Sequence, residues 1–122
     1  MKKIIISLGS NTDNGEEMVS LAITWLTNTF SNLRHSDIYA TKAVGNGVGE
    51  YHNAVAEADT SLSAAEVTAL LKKYEVDTGR TPQMKALHIV PIDLDLVMYD
   101  NTIIRPSDFS CDYFLIGYKK LK

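Results

Sequence analysis

Apolar and polar residues alternate along this chain in a pattern that predicts a sheet of four main strands. Apolar runs of strand length are bounded by turn-forming residues such as glycine, asparagine and aspartate. A further short run after Asp100-Asn101 predicts a strand that pairs back on the one before it. The predicted strands cover residues 3–8, 36–43, 51–60 and 92–99, with 102–104 as the short return strand.

Two other segments carry apolar residues at helical spacing, and each predicts an amphipathic helix with a core face. Asp13 and Glu16 fit a capping pair ahead of the first helix. Ser63 and Glu66 fit the same pattern ahead of the second, and Gly79 is placed to end it. The apolar stripes are Met18, Leu21, Ala22, Trp25 and Leu26 in the first helix and Val67, Leu70, Leu71 and Tyr74 in the second.

The resulting order, βαββαβ, predicts a ferredoxin-like α+β fold, in which an antiparallel sheet carries both helices on one face. Residues 80–91 are predicted to form a loop. The chain has 122 residues, of which 45% are hydrophobic and 22% are charged, as is usual for soluble globular domains. Because no linker or repeat divides the sequence, we expect residues 1–122 to form a single domain.

Charge and cysteine content narrow the class of protein. The net charge of −3 and the lack of a long basic run give no reason to expect nucleic-acid binding. Ser7 and Gly9 interrupt the first apolar run too soon for a signal peptide, and no segment is long enough to span a membrane. The single cysteine, Cys111, cannot form a disulfide within the chain. Composition therefore predicts a cytoplasmic protein that binds neither nucleic acid nor membrane.

Two aspartates stand one residue apart in the segment PIDLDLVMY, residues 91–99. Side chains alternate along a strand, so Asp93 and Asp95 would point to the same face, roughly 6–7 Å apart. At that distance two carboxylates repel by about 0.7 kcal/mol in water and about 3 kcal/mol at an effective dielectric constant of 20. A divalent cation would offset this repulsion, and carboxylates, phosphate oxygens and water suit Mg²⁺. The spacing alone leaves open a solvated strand face without a metal.

Four further motifs accompany the two aspartates. They are SLGSN at 7–11, YATKAVG at 39–45, YHNAV at 51–55 and EVDTGR at 75–80, followed by IDLDLVMYDN at 92–101. In this order and spacing, over residues 1 to about 105, the chain resembles the hydroxymethyl-dihydropterin pyrophosphokinase family of the folate pathway. The resemblance implies a ferredoxin-like fold. It also implies an ATP-dependent enzyme that transfers pyrophosphate to the hydroxymethyl group of 6-hydroxymethyl-7,8-dihydropterin and releases AMP.

The resemblance also implies which residues form the site. Asp93 and Asp95 would bind two Mg²⁺ ions against the phosphates of ATP, and Arg80 would join them as a catalytic residue. Glu75, Arg80 and Leu96 match positions that contact the nucleotide. A reduced pterin would bind to the Asn53 amide and stack on aromatic rings. The matched pterin-binding positions are Thr41, Val44, Tyr51, Asn53 and Phe114.

The chain departs from the family pattern where the family carries cationic residues. Val90 stands where the family has an arginine before the aspartate segment, and Ser107 stands where it has a histidine. Because cationic groups stabilise the charge that develops in phosphoryl transfer, these losses are expected to weaken activity.

Two alternatives stay open at the level of the sequence. The first is a catalytically impaired relative that acts as a pterin- or nucleotide-binding module. The second is a regulatory ferredoxin-like domain, against which the aspartate pair argues, since a sensor has no need of a metal platform.

Overall fold

The computed structural model describes residues 1–42 and 49–121. The β-strands within these residues are β1 (Lys2–Ser10), β2 (Ser31–His35), β3 (Tyr39–Lys42), β4 (Glu50–Thr60), β5 (Asp93–Tyr99) and β6 (Thr102–Ile103). The helices are α1 (Gly15–Thr29), α2 (Ala64–Asp77), α3 (Pro82–Ala86), α4 (Pro106–Phe109) and α5 (Asp112–Leu121).

All strands of the described part join one antiparallel sheet in the order β2-β4-β1-β5-β6. The strand β3 also pairs with β4, so β2 and β3 lie one after the other along the same edge of β4. Long antiparallel ladders join β1 to β4 on one side and to β5 on the other. This is the ferredoxin-like α+β architecture that the element order predicts, and the fold prediction is confirmed.

One face of the sheet packs against α1 and α2, as the apolar stripes predict. Ile4, Ile6 and Leu8 of β1 point into this layer and are at most 1% exposed. Because side chains alternate along a strand, the residues between them point to the opposite face. The helices contribute Val19, Ala22, Leu26, Val67 and Leu71 to the same core.

The opposite face is covered in part by α5, which the sequence analysis did not predict. Phe114 and Leu121 of this helix pack on Ile5, Val55 and Val97 and form a second, smaller core. The sheet is therefore covered on both sides at one end. At the other end, β1, β4 and β5 leave the face beside α5 open.

The predicted capping box is confirmed for α2 and wrong for α1. The Ser63 hydroxyl accepts from the Glu66 N–H, and the Glu66 carboxylate accepts from the Ser63 N–H. In α1 the N-cap is Asn14, whose side chain makes no capping bond. The Asn14 side chain instead accepts from the Thr12 hydroxyl at 2.8 Å, so the Asp13–Glu16 pairing is one residue out of register. Gly79 follows the end of α2 at a φ of 104°, a conformation that favours glycine.

Two other predicted segments differ in extent. The strand predicted over residues 36–43 forms only at Tyr39–Lys42 within the described part, and a separate strand precedes it at Ser31–His35. The predicted loop at 80–91 contains the short helix α3. Proline at the first position of a helix is favoured because its missing N–H would have had no partner there.

Replacing Gly117 with alanine is expected to lower the free energy of unfolding by about 1–2 kcal/mol. A Cβ atom there would lie 2.6 Å from the Tyr39 hydroxyl and 2.7 Å from a methyl group of Val55, both of which fix α5 to the sheet. The clash outweighs the better helix propensity of alanine, which is worth about 1 kcal/mol. Urea unfolding would measure the change, with Lys119→Ala on the exposed side of α5 as control. Equal midpoints for wild type and Gly117→Ala would contradict the prediction.

Candidate active site

A cavity of about 180 Å³ opens on the sheet face beside the first turn of α5. We call it the central cavity. Residues from β1, β3, β4, β5 and α5 line it, so it lies where the sheet face is left uncovered. Its walls include Thr41, Tyr51, Asn53, Asp93, Asp95 and Tyr113.

Small residues in the central strand form the floor of this cavity. Ser7 pairs with Asp95 across the ladder to β5, and Gly9 pairs with Asp93. On the other side Gly9 pairs with Asn53 of β4. A Cβ at Gly9 would already lie 3.4 Å from the Asn53 side-chain oxygen. The Ser7-Gly9 spacing of the SLGSN motif therefore leaves a trough between the polar side chains of β4 and those of β5.

The two aspartates, which we call the acidic pair, share the cavity face of β5, as the alternation predicts. Asp95 is 14% exposed at its side chain and Asp93 is 37% exposed. Burial and the negative charge of Asp93 raise the pKa of Asp95 to about 6. Burial also pushes the pKa of Asp93 upwards, but the ammonium of Lys72 and the guanidinium of Arg80 hold it below its ordinary value.

Three cationic side chains face the acidic pair. Lys72 Nζ lies 3.2 Å from Asp95 Oδ1 and 3.8 Å from Asp93 Oδ1. Arg80 Nη1 lies 3.2 Å from Asp93 Oδ1. Arg105 Nη1 lies 3.9 Å from Asp95 Oδ1 and also pairs with Asp108. The carboxylates are thus partly neutralised by the protein itself.

Glu75, predicted to lie near the nucleotide, holds two of these cations in place. Its side chain is 7% exposed, and its Oε1 accepts from Arg80 at 2.9 Å. Its Oε2 accepts from Lys72 at 2.9 Å and from the Leu94 N–H at 2.8 Å. Glu75 therefore connects α2 to β5 at the acidic pair. With Lys72, Arg80, Pro82 and Asp93 it also lines a second, more open cleft.

The side of the central cavity formed by β3 and β4 carries three of the predicted pterin-binding residues. The Asn53 amide donates to the Thr41 hydroxyl at 2.7 Å and to the Tyr51 carbonyl at 3.3 Å. Asn53 is 4% exposed, so its orientation is held by these bonds. Tyr51 is half-buried beside it, and burial with the nearby charge of Asp93 raises the pKa of its hydroxyl. Val44 lies outside the described residues.

Phe114 and Leu96 are placed away from the cavity. The Phe114 ring is fully buried and stacks on Tyr118 with ring centres 5.3 Å apart, within the core under α5. Its neighbour Tyr113 is the aromatic residue of this helix that lines the cavity. Leu96 is 4% exposed and packs in the layer of α1 and α2, because alternation turns it away from the acidic pair. Lys72 was not predicted, although its position three residues before Glu75 on one helix was a usable signal.

Asn11 of the SLGSN motif ties the 80–91 segment to the end of β1. Its side-chain amide donates to the His88 carbonyl at 2.6 Å, and its side-chain oxygen accepts from the Val90 N–H at 2.6 Å. The Asn11 N–H also donates to the Val90 carbonyl at 3.0 Å. The segment is thus anchored next to the acidic pair through backbone groups of Val90, at the position where the resembled family has an arginine.

The donor set of the acidic pair fits Mg²⁺ held together with a nucleotide. Two carboxylates on one rigid strand border an open cavity, and Mg²⁺ takes one or two carboxylates and fills its other positions with water and phosphate oxygens. In residues 1–42 and 49–121 no group of three or more histidine, cysteine, aspartate or glutamate side chains is arranged to hold a metal. A metal held by the acidic pair would complete its coordination with water or with the oxygens of a phosphate ligand.

Comparison with known proteins gives the family. The family model described as 7,8-dihydro-6-hydroxymethylpterin-pyrophosphokinase matches residues 5–121. The chain belongs to this pyrophosphokinase family. The family membership confirms the resemblance seen in the sequence motifs. The match extends beyond residue 105, through α5.

Curated relatives of the pyrophosphokinase family support the match. A 2-amino-4-hydroxy-6-hydroxymethyldihydropteridine pyrophosphokinase of Aquifex aeolicus is 31% identical over 106 residues, covering 86% of this chain and 66% of the relative. A protein of the same name from Haemophilus influenzae is 33% identical over 113 residues, covering 89% and 69%. The mitochondrial folate synthesis bifunctional protein of Pisum sativum is 30% identical, covering 85% and 20%. The chain thus spans about two thirds of the bacterial relatives and a fifth of the plant protein.

Among the helices of the described residues, none combines the length and the apolar character needed to cross a bilayer.

Proposed function

We propose that the protein transfers pyrophosphate from ATP to the hydroxymethyl group of 6-hydroxymethyl-7,8-dihydropterin and releases AMP, a step of folate biosynthesis. The observation that carries the proposal is the central cavity, which brings the acidic pair of β5 together with Asn53 and Tyr51 of β4. Membership of the pyrophosphokinase family supports it. We also propose that it acts in the cytoplasm, without nucleic acid or membrane.

In the proposed reaction the chain positions two ligands and offsets charge. Asn53 and Tyr51 hold the pterin, and Tyr113 takes the stacking role that the resemblance implied for Phe114. The hydroxymethyl oxygen then faces the phosphates of ATP and attacks the β-phosphorus while its proton passes to water. The bond from the β-phosphorus to the oxygen that bridges to the α-phosphate breaks, and AMP leaves with that oxygen. Holding both reactants in one cavity supplies much of the rate enhancement because it removes the entropic cost of bringing them together.

The acidic pair and the cations around it supply the electrostatic stabilisation in the proposed reaction. Asp93 and Asp95 would hold two Mg²⁺ ions, which when bound neutralise charge on the phosphate oxygens. Arg80, fixed by Glu75 and Asp93, is directed at the same position. Lys72 and Arg105 add two cationic groups at the site. These residues offset the loss of the family cations at Val90 and Ser107.

The experiment that tests the function measures AMP release from ATP and Mg²⁺, with and without the reduced hydroxymethyl pterin. Pterin-dependent AMP release at a rate of about 0.1 s⁻¹ or faster would support the proposal. Saturable binding of pterin without AMP would favour the alternative, a binding module, for which the residues Val90 and Ser107 argue. Binding of neither ligand would favour the regulatory domain and overturn both other functions.

Replacing Asn53 with alanine is expected to weaken pterin binding about tenfold or more, because an orienting hydrogen-bond pair is lost. The affinity for ATP should stay nearly unchanged, since Arg80 and Lys72 line the second cleft, to which Asn53 does not contribute. Equilibrium titration of pterin fluorescence with each protein would measure the affinity. Thr41→Val, which removes one partner of the Asn53 amide, should give a smaller loss. Equal pterin affinity of wild type and Asn53→Ala would contradict the assignment.

A further inference from the structure

We propose that Lys72 is a tethered counter-ion that occupies the acidic pair in the nucleotide-free protein and competes there with divalent metal. This inference rests on the proposed function, because it takes Asp93 and Asp95 as the metal ligands. It goes further in giving a role to a residue of α2 that no family motif assigned. The role is one of positioning and competition, because Lys72 acts through the two carboxylates.

The ammonium of Lys72 lies among four oxygen atoms. Besides the two carboxylate oxygens of the acidic pair, it donates to Glu75 Oε2 at 2.9 Å and to the Leu94 carbonyl at 3.0 Å. These oxygens come from three side chains and one backbone group of α2 and β5. The carboxylate oxygens of the acidic pair are also the ligands that a divalent cation would take.

A metal would compete with Lys72 because both would use the same carboxylate oxygens of the acidic pair. Asp95 Oδ1 faces both Lys72 and Arg105, and Asp93 Oδ1 faces both Lys72 and Arg80. A divalent cation that took these oxygens would stand within a few ångströms of the ammonium, where the repulsion between like charges is large. Lys72 must therefore leave the pair when a metal binds. Its side chain is 46% exposed, so the stem has space in which to move.

The exchange would link metal binding to nucleotide binding. An ammonium that leaves the carboxylates keeps its charge, and the phosphates of an incoming nucleotide are a new partner for it. Metal alone must displace Lys72 without such compensation, whereas metal with nucleotide gives the lysine a new counter-charge. The pair is thereby kept neutralised until both arrive, which reduces the binding of free divalent ions.

The test measures binding of Mn²⁺, as a spectroscopic probe for the divalent cation, to the metal-free protein without nucleotide. Lys72→Met is expected to bind Mn²⁺ about tenfold more tightly than wild type, because the competing charge is gone. Lys72→Gln carries the same expectation and serves if the methionine variant does not fold. Lys73→Met is the matched control, since Lys73 lies on the same helix and pairs only with Asp77 at 2.8 Å among the bonds described. Its Mn²⁺ affinity should equal that of wild type.

The outcomes separate this inference from the proposed function. Equal or weaker Mn²⁺ binding by both Lys72 variants, with measurable binding by wild type, would overturn the competition and leave the metal site intact. Absence of Mn²⁺ binding in every protein, even with a non-hydrolysable ATP analogue, would overturn the metal assignment itself. With the analogue present, the difference between wild type and Lys72→Met should shrink or reverse, because the displaced lysine then contacts phosphate. If the gain in Mn²⁺ affinity of Lys72→Met over wild type were the same with and without the analogue, the proposed link to nucleotide binding would be contradicted.

Discussion

Asp95→Ala is expected to lower the rate of pterin-dependent AMP formation by about 10²–10³-fold. Asp95 is the more buried member of the acidic pair and lies on the central cavity, while Glu75, which shares Lys72 with it, is also bonded to Arg80 and to the Leu94 N–H. In the proposed site, its loss would remove one of the two carboxylates that hold the metal against the phosphates. The remaining Asp93 would be left with Lys72 and Arg80, which neutralise it without a metal. The rate should be measured at saturating ATP and pterin over a range of Mg²⁺ concentrations.

The control for this prediction is Asp77→Ala. Asp77 is 60% exposed at the end of α2 and pairs with Lys73, away from the cavity, so its removal should leave the rate unchanged. A thermal unfolding scan of both variants shows whether each is folded at the assay temperature. Full Mg²⁺-dependent activity of Asp95→Ala would show that the metal is held elsewhere. Excess Mg²⁺ should recover only part of the loss, because the position of the phosphates changes as well.

The sequence contained the signals for the sheet and for the acidic pair because both depend on strand alternation. Ile4, Ile6 and Leu8 alternate with Ser7 and Gly9 in one strand, and each set turns to one face. The same alternation in β5 separates Leu94 and Leu96 from the two aspartates. A local period of two is enough to predict which residues share a face, and pairing of neighbouring strands then brings the sets together.

The missed elements either lack a local apolar signal or pack on a surface that is distant in sequence. Ser31–His35 is a strand on the sheet edge whose residues are mostly exposed, so neither face needs apolar side chains. The helix α5 has such residues, but its partner surface is the β4–β5 side of the sheet, far away in sequence. Phe114 was assigned to the pterin from the family resemblance, through the segment DYFLIG at 112–117. The resemblance identified the correct segment of the chain. A shift of one residue along the helix decides whether Phe114 or Tyr113 faces the cavity.

Contacts between side chains from distant segments were the least predictable part of the site. Lys72 and Glu75 lie one helical turn apart, but that spacing is common on solvated helix surfaces. Only the packing of α2 against β5 brings both residues to the acidic pair. Asn11 is similar, since its bonds to Val90 cross 79 positions of sequence. The motifs identified most of the polar residues that line the central cavity, and tertiary structure was needed to find the side chains that hold these residues in place.

Asp95→Asn is expected to raise the free energy of unfolding of the metal-free protein by about 2–3 kcal/mol at pH 7.5, although it removes activity. Burial and the charge of Asp93 raise the pKa of Asp95 to about 6, so the folded state binds this proton more tightly than the unfolded state. The ionised carboxylate therefore destabilises the fold above about pH 6, and the cost fades as the pH falls towards 4. Asparagine carries no charge, so its advantage should be largest at pH 7.5 and nearly absent at pH 4. Urea unfolding in the presence of a chelator at both pH values measures the difference in free energy of unfolding. Lower stability of Asp95→Asn than of wild type at pH 7.5 would show that the ion pairs of Asp95 with Lys72 and Arg105 outweigh its repulsion with Asp93.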